Sequence, residues 1–215
     1  MFKINPRVQG VTNELVTMYQ KVCPSTIGHM MDFGFTKGLK PNFRPIKFVG
    51  NAVTVRIPHM DSTALHKVMD IVQLGDVIVV DMSGDYERAC CGEIVAYAAN
   101  VKKVAGIVID GCITDFQPIL KIRMPIFSRG VSPLTTRILG IEGEINVPVS
   151  VCGVVVNPGD LVVADDDGVF VINPSIAIKY GERAIKVQDC EVEEKRKLDA
   201  GVSIASMSGA AKYFE

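Results

Sequence analysis

Two runs of apolar residues constrain the fold of this chain more than any other feature. Residues 77–80 and 104–109 contain no polar side chain, and each run leads directly into an aspartate. A strand without a polar face has to be covered by protein on both sides, which is typical of parallel sheets flanked by helices. The patterns of residues 62–73 and 87–101 predict helices around these strands. The sequence therefore predicts an α/β fold with a largely parallel, covered sheet.

The second half of the chain is β-rich. Short apolar segments separated by glycine and proline turns predict strands at residues 125–127, 145–156, 161–164 and 169–172. A strand at residues 48–57 and helices at residues 11–19 and from Pro174 to about residue 197 complete the prediction. No stretch of linker-like composition separates the two halves. We therefore expect a single domain, residues 1–215, with N- and C-terminal helices.

The composition excludes several classes of protein. The chain carries 23 Lys+Arg against 24 Asp+Glu, for a formal net charge of −1, whereas general nucleic-acid and membrane-surface binders need a basic excess. Its apolar runs fall far short of the roughly 20 residues of a membrane span, and its N-terminus lacks the organisation of a secretion signal. The six cysteines form no C-x-x-C pair, which favours reduced thiols. We expect a cytoplasmic protein that binds neither nucleic acid nor a membrane.

The common catalytic motifs are absent from the sequence. There is no Walker A loop, no G-x-G-x-x-G after a strand, no H-E-x-x-H and no G-x-S-x-G. What remains are Asp110 and Asp115, at the end of a predicted strand, where α/β proteins bind ligands. Carboxylates there suit a hard cation such as Mg²⁺ or Mn²⁺, whereas the alternative is a simple Asp-Gly turn. His66, within a predicted helix, is interpreted as structural.

The segment around Gly92 and Glu93, near the start of the helix predicted for residues 87–101, is the second candidate. If Gly92 lies in the first turn, the free backbone amides there can hold a carboxylate, and glycine lets a ligand approach the backbone closely. The alternative is a solvated glutamate and a packing glycine in an ordinary helix. A helix-to-strand return leads from this segment to Asp115, so the fold can bring the two candidates together.

Several segments, in order along the chain, resemble the RraA-like family, which includes the class II 4-hydroxy-4-methyl-2-oxoglutarate aldolases. The resemblance covers a core of residues 45–205 and is carried by residues 49–55, 75–81, 92–93, 105–111 with Asp115, 125–130, 152–160 and 164–169. It implies a swivelling β/β/α fold that assembles into homotrimers or homohexamers. It also implies that the sites lie near the subunit interfaces.

The resemblance assigns roles to the two candidate segments. Asp115 matches the family's metal aspartate, which binds Mg²⁺ or Mn²⁺ largely through water. The backbone amides of Gly92, Glu93, Ile94 and Val95 match the stretch that holds the carboxylate of a pyruvyl group. Glu93 matches the acidic residue of that stretch. The implied ligand is therefore a small 2-oxo acid bound beside a divalent cation.

Further residues enter through the same resemblance. In the aldolases, a glutamate from the C-terminal helix of a neighbouring subunit contributes to the site, and Glu193 or Glu194 is the candidate here. Asp61 and Ser62 align with a polar loop on the substrate side. The implied reaction is the metal-dependent retro-aldol cleavage of a 4-hydroxy-2-oxo acid to pyruvate. Decarboxylation of oxaloacetate proceeds through the same enolate and is expected to accompany it.

One position departs from the aldolase pattern. The aldolases carry an arginine immediately before the metal aspartate, and this chain carries Thr114 as its catalytic and substrate-binding candidate. A threonine hydroxyl carries no charge, and the loss of an oxyanion-stabilising donor typically costs about 10²–10³ in rate. Either another cation, Arg88 or Arg129, replaces the arginine, or the substrate differs, or the aldolase activity is absent. The alternatives are a metal-dependent isomerase or hydratase and a non-catalytic regulator, because the family includes an inhibitor of ribonuclease E.

Overall fold

The computed structural model describes residues 1–58 and 60–214. Within these ranges the strands are β1 (Phe2–Ile4), β2 (Lys40–Pro41), β3 (Phe48–Arg56), β4 (Asp76–Asp81), β5 (Ala89–Cys91), β6 (Gly106–Asp110), β7 (Cys112–Ile113), β8 (Ile126–Ser128), β9 (Gly130–Val131), β10 (Gly143–Ile145), β11 (Val149–Val151), β12 (Val154–Val156), β13 (Leu161–Asp165) and β14 (Gly168–Ile172). The helices are α1 (Asn13–Tyr19), α2 (Pro24–Gly28), α3 (Thr63–Val68), α4 (Glu93–Val101), α5 (Phe116–Ile122), α6 (Pro174–Asp199) and α7 (Ile204–Ser208), and a 3₁₀ helix spans Ala210–Tyr213.

The strands build one large mixed sheet and two small ones. In the large sheet, β3, β4, β6 and β8 lie side by side and run parallel. A helix follows each of the first three, and such a crossover is what a parallel connection requires. The outer edge of β3 is shared by two antiparallel partners, β13 along its first half and β10 along its second half. The predicted α/β fold with a covered, largely parallel centre is confirmed.

The central strands are buried on both faces. Every residue of β6 is buried, and in β3 and β4 only the last residue is partly exposed. Val53 and Val55 of β3 pack with Leu65 of α3 and Ala96 of α4 on one face, whereas Ala52 packs in a separate cluster on the other face. The two apolar runs thus form covered strands, as predicted.

A three-stranded parallel sheet positions the candidate site. Its strands lie in the order β5–β7–β9. β7 and β9 follow β6 and β8 after a single residue, Gly111 or Arg129, so the small sheet continues from the carboxyl ends of the large sheet. Because parallel neighbours end at the same edge, the residues after β5 and β7 are brought side by side. These residues are Gly92 and Thr114, respectively.

The helix predicted for residues 87–101 is wrong in its first part. Residues Ala89–Cys91 form β5, and α4 begins only at Glu93. A short apolar run such as this one fits a helix face and a buried strand equally well. Pairing with β7, which the local sequence does not encode, decides in favour of the strand. The helix predicted for residues 62–73 also ends early, because α3 spans Thr63–Val68.

In the part of the chain that the structure describes, no helix combines the length and the apolar character needed to cross a membrane. The 26-residue α6 is long, but its exposed positions carry many charged side chains. All six cysteines are free thiols.

Candidate functional site

A small cleft of about 220 Å³ opens where β5 and β7 end. One part of its wall is formed by the residues that follow these strands, and another by the segment of residues 135–138. The lining residues are Ser62, His66, Ala89, Cys90, Gly92, Ile94, Val95, Thr114, Asp115, Thr135, Thr136, Arg137 and Ile138. The fold therefore brings both sequence-predicted segments into one cleft.

The carboxylate of Asp115 lies against Gly92. The backbone amide of Glu93 donates a hydrogen bond of 3.0 Å to Asp115 Oδ2, and Thr114 N donates to Cys91 O at 2.9 Å. A Cβ atom at position 92 would lie only 2.5 Å from Asp115 Oδ2 and 3.0 Å from Thr114 Cγ2. The φ angle of Gly92 is −111°, which any residue can adopt. A side chain at this position therefore has to displace the carboxylate of Asp115, although the backbone conformation itself accepts any residue.

The N-terminus of α4 presents free amides to the cleft. Gly92 is the N-cap residue and has no side chain to cap the helix, and the first intrahelical bond runs from Ala96 N to Gly92 O at 3.0 Å. Asp115 accepts from the amide of Glu93. Within residues 1–58 and 60–214, the amides of Ile94 and Val95 have no hydrogen-bond acceptor. Together with the positive end of the helix dipole, they can bind an anion.

The backbone of Asp115 directs its side chain towards α4. Asp115 is the N-cap residue of α5 and has φ 51° and ψ 43°, in the left-handed region that only glycine, asparagine and aspartate visit readily. Its carboxylate makes no capping bond to α5 and instead accepts the amide hydrogen of Glu93. The side chain is exposed to solvent. Asp115 is thus held in an uncommon conformation that leaves a carboxylate at the mouth of the cleft.

The donor set fits a hydrated hard cation. Among the described residues, no group of three or more His, Cys, Asp or Glu side chains could hold a metal ion. Asp115 offers one carboxylate, whose Oδ2 accepts from Glu93 N and whose Oδ1 accepts no hydrogen bond from any residue that the structure describes. Mg²⁺ is usually bound through one or two carboxylates and keeps several waters. The arrangement therefore suits Mg²⁺ or Mn²⁺ and does not suit a closed zinc site, which needs four protein ligands.

Neither arginine that the sequence offers as a substitute for the family arginine lines the cleft. Arg88 donates to Asp85 Oδ2 at 2.9 Å and lines a separate pocket. Arg129 is paired with Asp110, and its guanidinium carbon lies 3.7 Å from the centroid of the Tyr86 ring. Both guanidinium groups are therefore held by other side chains.

Asp110 does not face the cleft together with Asp115. It is buried, is paired with Arg129 and accepts hydrogen bonds from Cys152 N at 2.8 Å and from Cys152 Sγ at 3.2 Å. Burial raises the pKa of the Cys152 thiol to about 12, and the hydrogen bond to Asp110 acts in the same direction. This thiol therefore stays protonated and donates to the aspartate. Asp110 joins two loops instead of binding a ligand.

Arg137 lines the cleft, although sequence reasoning missed it. Its backbone is fixed, because Arg137 N donates to Met60 O at 2.8 Å and Ser62 N donates to Arg137 O at 2.8 Å. The preceding residues form a bridge with β5, in which Thr135 pairs with Ala89. No local motif surrounds Arg137. Only the long-range pairing of this segment brings its charge to the site.

The two predicted site residues of the turn at residues 61–62 have different roles. One stabilises a loop and the other lines the cleft. Asp61 is buried and accepts backbone hydrogen bonds that hold the loop of residues 139–142. Ser62 lines the cleft and donates its hydroxyl hydrogen to Arg137 O at 3.1 Å. His66, which the sequence suggested to be structural, is exposed and also lines the cleft. It is the second residue that sequence reasoning placed outside the site.

The predicted glutamates lie outside the cleft of their own chain. Glu93 is exposed at the first position of α4 but does not line the cleft. Glu193 lies on α6 and pairs with Arg196 at 3.3 Å. Glu194 lines a surface pocket that also contains His29. The contribution of Glu193 or Glu194 from a neighbouring subunit stays a prediction.

The fold and the cleft define an α/β protein in which one carboxylate lies beside free helix amides. The family model described as RraA-like, Aldolase/RraA, matches residues 20–171. The chain belongs to the RraA-like family.

Individual relatives carry different names. A Halalkalibacterium halodurans protein with the provisional name 4-hydroxy-4-methyl-2-oxoglutarate aldolase is 36% identical over 194 residues, which cover 89% of this chain and 92% of that protein. The crystal structure of Streptomyces coelicolor RraAS2, described as an unusual member of the RNase ES inhibitor RraA family, has a TM-score of 0.79 and 30% identity, and the match covers 87% of this chain and 98% of that chain. A Geobacillus kaustophilus structure titled S-adenosylmethionine:2-dimethylmenaquinone methyltransferase has a TM-score of 0.60 and 29% identity, with 65% and 85% covered. These names agree on the family and differ on the activity.

Proposed function

We propose that this protein is a divalent-metal-dependent lyase that cleaves a small 4-hydroxy-2-oxo acid to pyruvate. The observation that carries the proposal is the placement of the Asp115 carboxylate beside the free amides of Ile94 and Val95 in one small cleft. A 2-oxo acid presents an anionic carboxylate next to a keto oxygen. The amides fit the carboxylate, and a cation at Asp115 fits the keto oxygen. The aldolase name of the H. halodurans relative supports the same assignment.

Each group of the chain has a defined task in this reaction. The amides of Ile94 and Val95 bind the substrate carboxylate and fix its orientation, since the helix N-terminus favours a negative charge. Asp115 would hold Mg²⁺ or Mn²⁺, and such a cation would supply Lewis-acid stabilisation of developing negative charge. Thr114, directly before Asp115, can donate a hydroxyl hydrogen bond to the substrate. Oxaloacetate, whose decarboxylation yields the same enolate, is the expected second substrate.

The surface beside the cleft supports a homo-oligomer. On α4 the side chains of Ile94, Tyr97 and Val101 are 76%, 57% and 62% exposed, and their spacing places them on one face of the helix. Ile138, on the neighbouring loop, is 63% exposed. Contiguous apolar surface of this kind marks an interaction site. We propose that a homotrimer or homohexamer covers it and that Glu193 or Glu194 of one subunit contributes to the cleft of another.

The oligomer is tested by light scattering after gel filtration. The wild-type protein is expected to elute with the mass of a trimer or hexamer, and Tyr97→Glu is expected to shift it towards smaller species, because a buried charge costs far more than a surface one. A matched control is Tyr213→Glu, at an exposed tyrosine outside this face. A monomeric wild-type protein would refute the assembly.

The lyase is tested by pyruvate release from 4-hydroxy-4-methyl-2-oxoglutarate and from oxaloacetate, with and without Mg²⁺ or Mn²⁺. Release is expected to require the cation and to fall by about 10²-fold or more in Asp115→Asn, which loses the charge that holds it. Asp70→Asn is the matched control, because Asp70 is an exposed carboxylate that pairs with Lys67 and does not line the cleft. Absence of release from both acids, with the fold and assembly intact, would refute the proposal.

A second candidate function has one observation in its favour. Thr114 replaces the arginine of the aldolases, which leaves room for a regulatory protein such as the RNase ES inhibitor family of the S. coelicolor relative, or for a metal-dependent isomerase or hydratase of a related acid. If the protein is a regulator, the wild type and Asp115→Asn should inhibit a ribonuclease E-type enzyme to the same extent. A lyase shows no such inhibition and loses its activity in the variant.

A further inference from the structure

The cleft requires a positive charge that the position of Thr114 cannot supply. Cleavage to an enolate places negative charge on the keto oxygen while the substrate carboxylate is already anionic. The residues lining the cleft include one carboxylate, Asp115, and one permanent cation, Arg137. His66 and the thiol of Cys90 are further titratable groups of this lining. Arg137 therefore supplies the permanent positive charge in the lining of the cleft.

The guanidinium of Arg137 is available for a ligand. Among residues 1–58 and 60–214, no side chain or carbonyl lies within hydrogen-bond or ion-pair distance of it, and no aromatic ring stacks on it. Arg88 and Arg129, in contrast, are both paired with aspartates. A second exposed arginine, Arg123, stacks on Phe43 with its guanidinium carbon 4.6 Å from the ring centroid. In the described part of the chain, no other side chain therefore holds the Arg137 guanidinium in place.

The backbone of Arg137, unlike its side chain, is firmly placed. Arg137 pairs with Asp61 in a parallel bridge, and its carbonyl oxygen accepts from both the amide and the hydroxyl of Ser62, at 2.8 and 3.1 Å. The bridge between Thr135 and Ala89 fixes the same segment to β5. β5 therefore lies between residue 135 on one side and β7 on the other, and Asp115 follows shortly after β7. Arg137 and Asp115 border the cleft from different sides of β5.

The size of the cleft is sufficient for a small acid between Arg137 and Asp115. A volume of about 220 Å³ corresponds to about seven water molecules at roughly 30 Å³ each. A small dicarboxylic or 2-oxo acid has a comparable number of heavy atoms. A planar guanidinium can bind a carboxylate or the oxygens of an enolate with two parallel hydrogen bonds.

We infer that Arg137 is a substrate-binding residue that supplies the positive charge carried by the arginine at the Thr114 position in the aldolases. This inference rests on the proposed 2-oxo acid lyase and adds the residue that balances the negative charge of its substrate. The cation is placed on the loop of residues 135–138 instead of directly before the metal aspartate. Lysine is a poor substitute at this position, because a point charge does not reproduce the two-fold hydrogen bonding of a guanidinium.

The test compares Arg137→Ala, Arg137→Lys and the double variant Thr114→Arg/Arg137→Ala in two assays. The first is metal-dependent pyruvate release, and the second is calorimetric binding of oxalate, a planar analogue of the pyruvate enolate, in the presence of Mg²⁺. Arg137→Ala is expected to release pyruvate about 10²–10³-fold more slowly than the wild type and to bind oxalate at least about tenfold more weakly. Arg137→Lys is expected to recover only part of both, and the double variant to recover more. Arg88→Ala, which removes a paired arginine outside the cleft, is the control and is expected to match the wild type.

The outcomes separate this inference from the proposed function. If Arg137→Ala matches the wild type in both assays while keeping its thermal stability, the inference is overturned, whether or not the protein is a lyase. If the wild type releases no pyruvate but binds oxalate, and Arg137→Ala loses that binding, the lyase is refuted and the anion-binding role of Arg137 stands. If Arg88→Ala and not Arg137→Ala is impaired, the charge comes from Arg88 and the inference is wrong.

Discussion

Replacement of Gly92 by alanine tests the geometry of the cleft most directly. A Cβ atom at this position would lie 2.5 Å from Asp115 Oδ2, whereas Cβ contacts shorter than 3.0 Å are essentially not found in proteins. The carboxylate therefore has to move by at least about 0.5 Å, the difference between these two distances, and by about 0.9 Å to reach the ordinary contact distance of 3.4 Å. Movement of this size separates Asp115 Oδ2 from the amide of Glu93 and shifts the cation ligand.

The effect on stability is expected to be small. Alanine at an extended backbone position reduces the conformational entropy of the unfolded chain and stabilises by about 0.4–1 kcal/mol. Loss of the hydrogen bond between Glu93 N and the exposed Asp115 carboxylate costs about 1 kcal/mol. The two effects nearly cancel, so the free energy of unfolding should change by less than about 1 kcal/mol, equivalent to a Tm shift of about 2–4 °C or less. In contrast, a misplacement of about 1 Å in a reacting group can lower the rate by about 10²-fold.

The assay measures thermal unfolding, Mn²⁺ binding by electron paramagnetic resonance and pyruvate release on the same preparations. Gly130→Ala is the matched control, because Gly130 lies in β9 of the same small sheet and a Cβ atom there would meet no atom within 4 Å. Gly92→Ala should unfold like the wild type but bind Mn²⁺ more weakly and lose activity, while Gly130→Ala should change none of the three. Equal Mn²⁺ affinity and activity in the two variants would refute the argument that a Cβ atom at position 92 displaces the Asp115 carboxylate.

Two further predictions concern buried carboxylates outside the cleft. Burial raises the pKa of Asp61, but the hydrogen bonds from Thr63 and from the backbone of the loop of residues 139–142 outweigh it and hold the pKa well below its usual value. Because the folded pKa is depressed, this stabilisation is complete above about pH 4 and is lost as the pH falls further. Asp61→Asn should therefore lower the free energy of unfolding by about 3 kcal/mol at neutral pH. Urea unfolding should show that the wild type and the variant become more similar in stability below about pH 4. A stability difference that does not change with pH would contradict this prediction. Arg7 donates two hydrogen bonds, of 2.7 and 2.6 Å, to the fully buried Asp76. Arg7→Met leaves that charge unpaired and should cost about 3–5 kcal/mol in the same assay, whereas a loss below about 1 kcal/mol would indicate that the pair is dispensable.

The sequence predicts the parts of the fold that local composition determines. The runs at residues 77–80 and 104–109 contain no polar face, so a covered parallel sheet is their natural structure, and the structure has it. The beginning of α4 was not predictable in the same way. Ala89–Cys91 is too short and too uniformly apolar for its periodicity to separate helix from strand, and its partner β7 is distant in sequence.

The candidate site shows the same division. The strand predicted at residues 104–109 points to Asp115, the predicted start of a helix points to Gly92, and the resemblance to the aldolases points to Thr114. The structure brings them together because β5 and β7 are parallel neighbours. Asp110 also lies at the end of a strand, as the last residue of β6, but its carboxylate is paired with Arg129. The strand pattern identifies the edge of the sheet at which residues gather. The pattern does not show which of these residues are exposed to solvent and which are buried and paired with other side chains.

Arg137 could not be found from the pattern, and the reason bears on how the site is built. Electrostatic stabilisation depends on where a charge lies relative to the substrate, and the position of that charge in the chain does not matter. In the aldolases the cation and the metal carboxylate are adjacent residues, so both approach the substrate from β7. Here the cation comes from a loop fixed to the far side of β5. In the proposed lyase, a substrate between Arg137 and Asp115 contacts the protein from two sides, and Arg137 supplies the positive charge that Thr114 lacks.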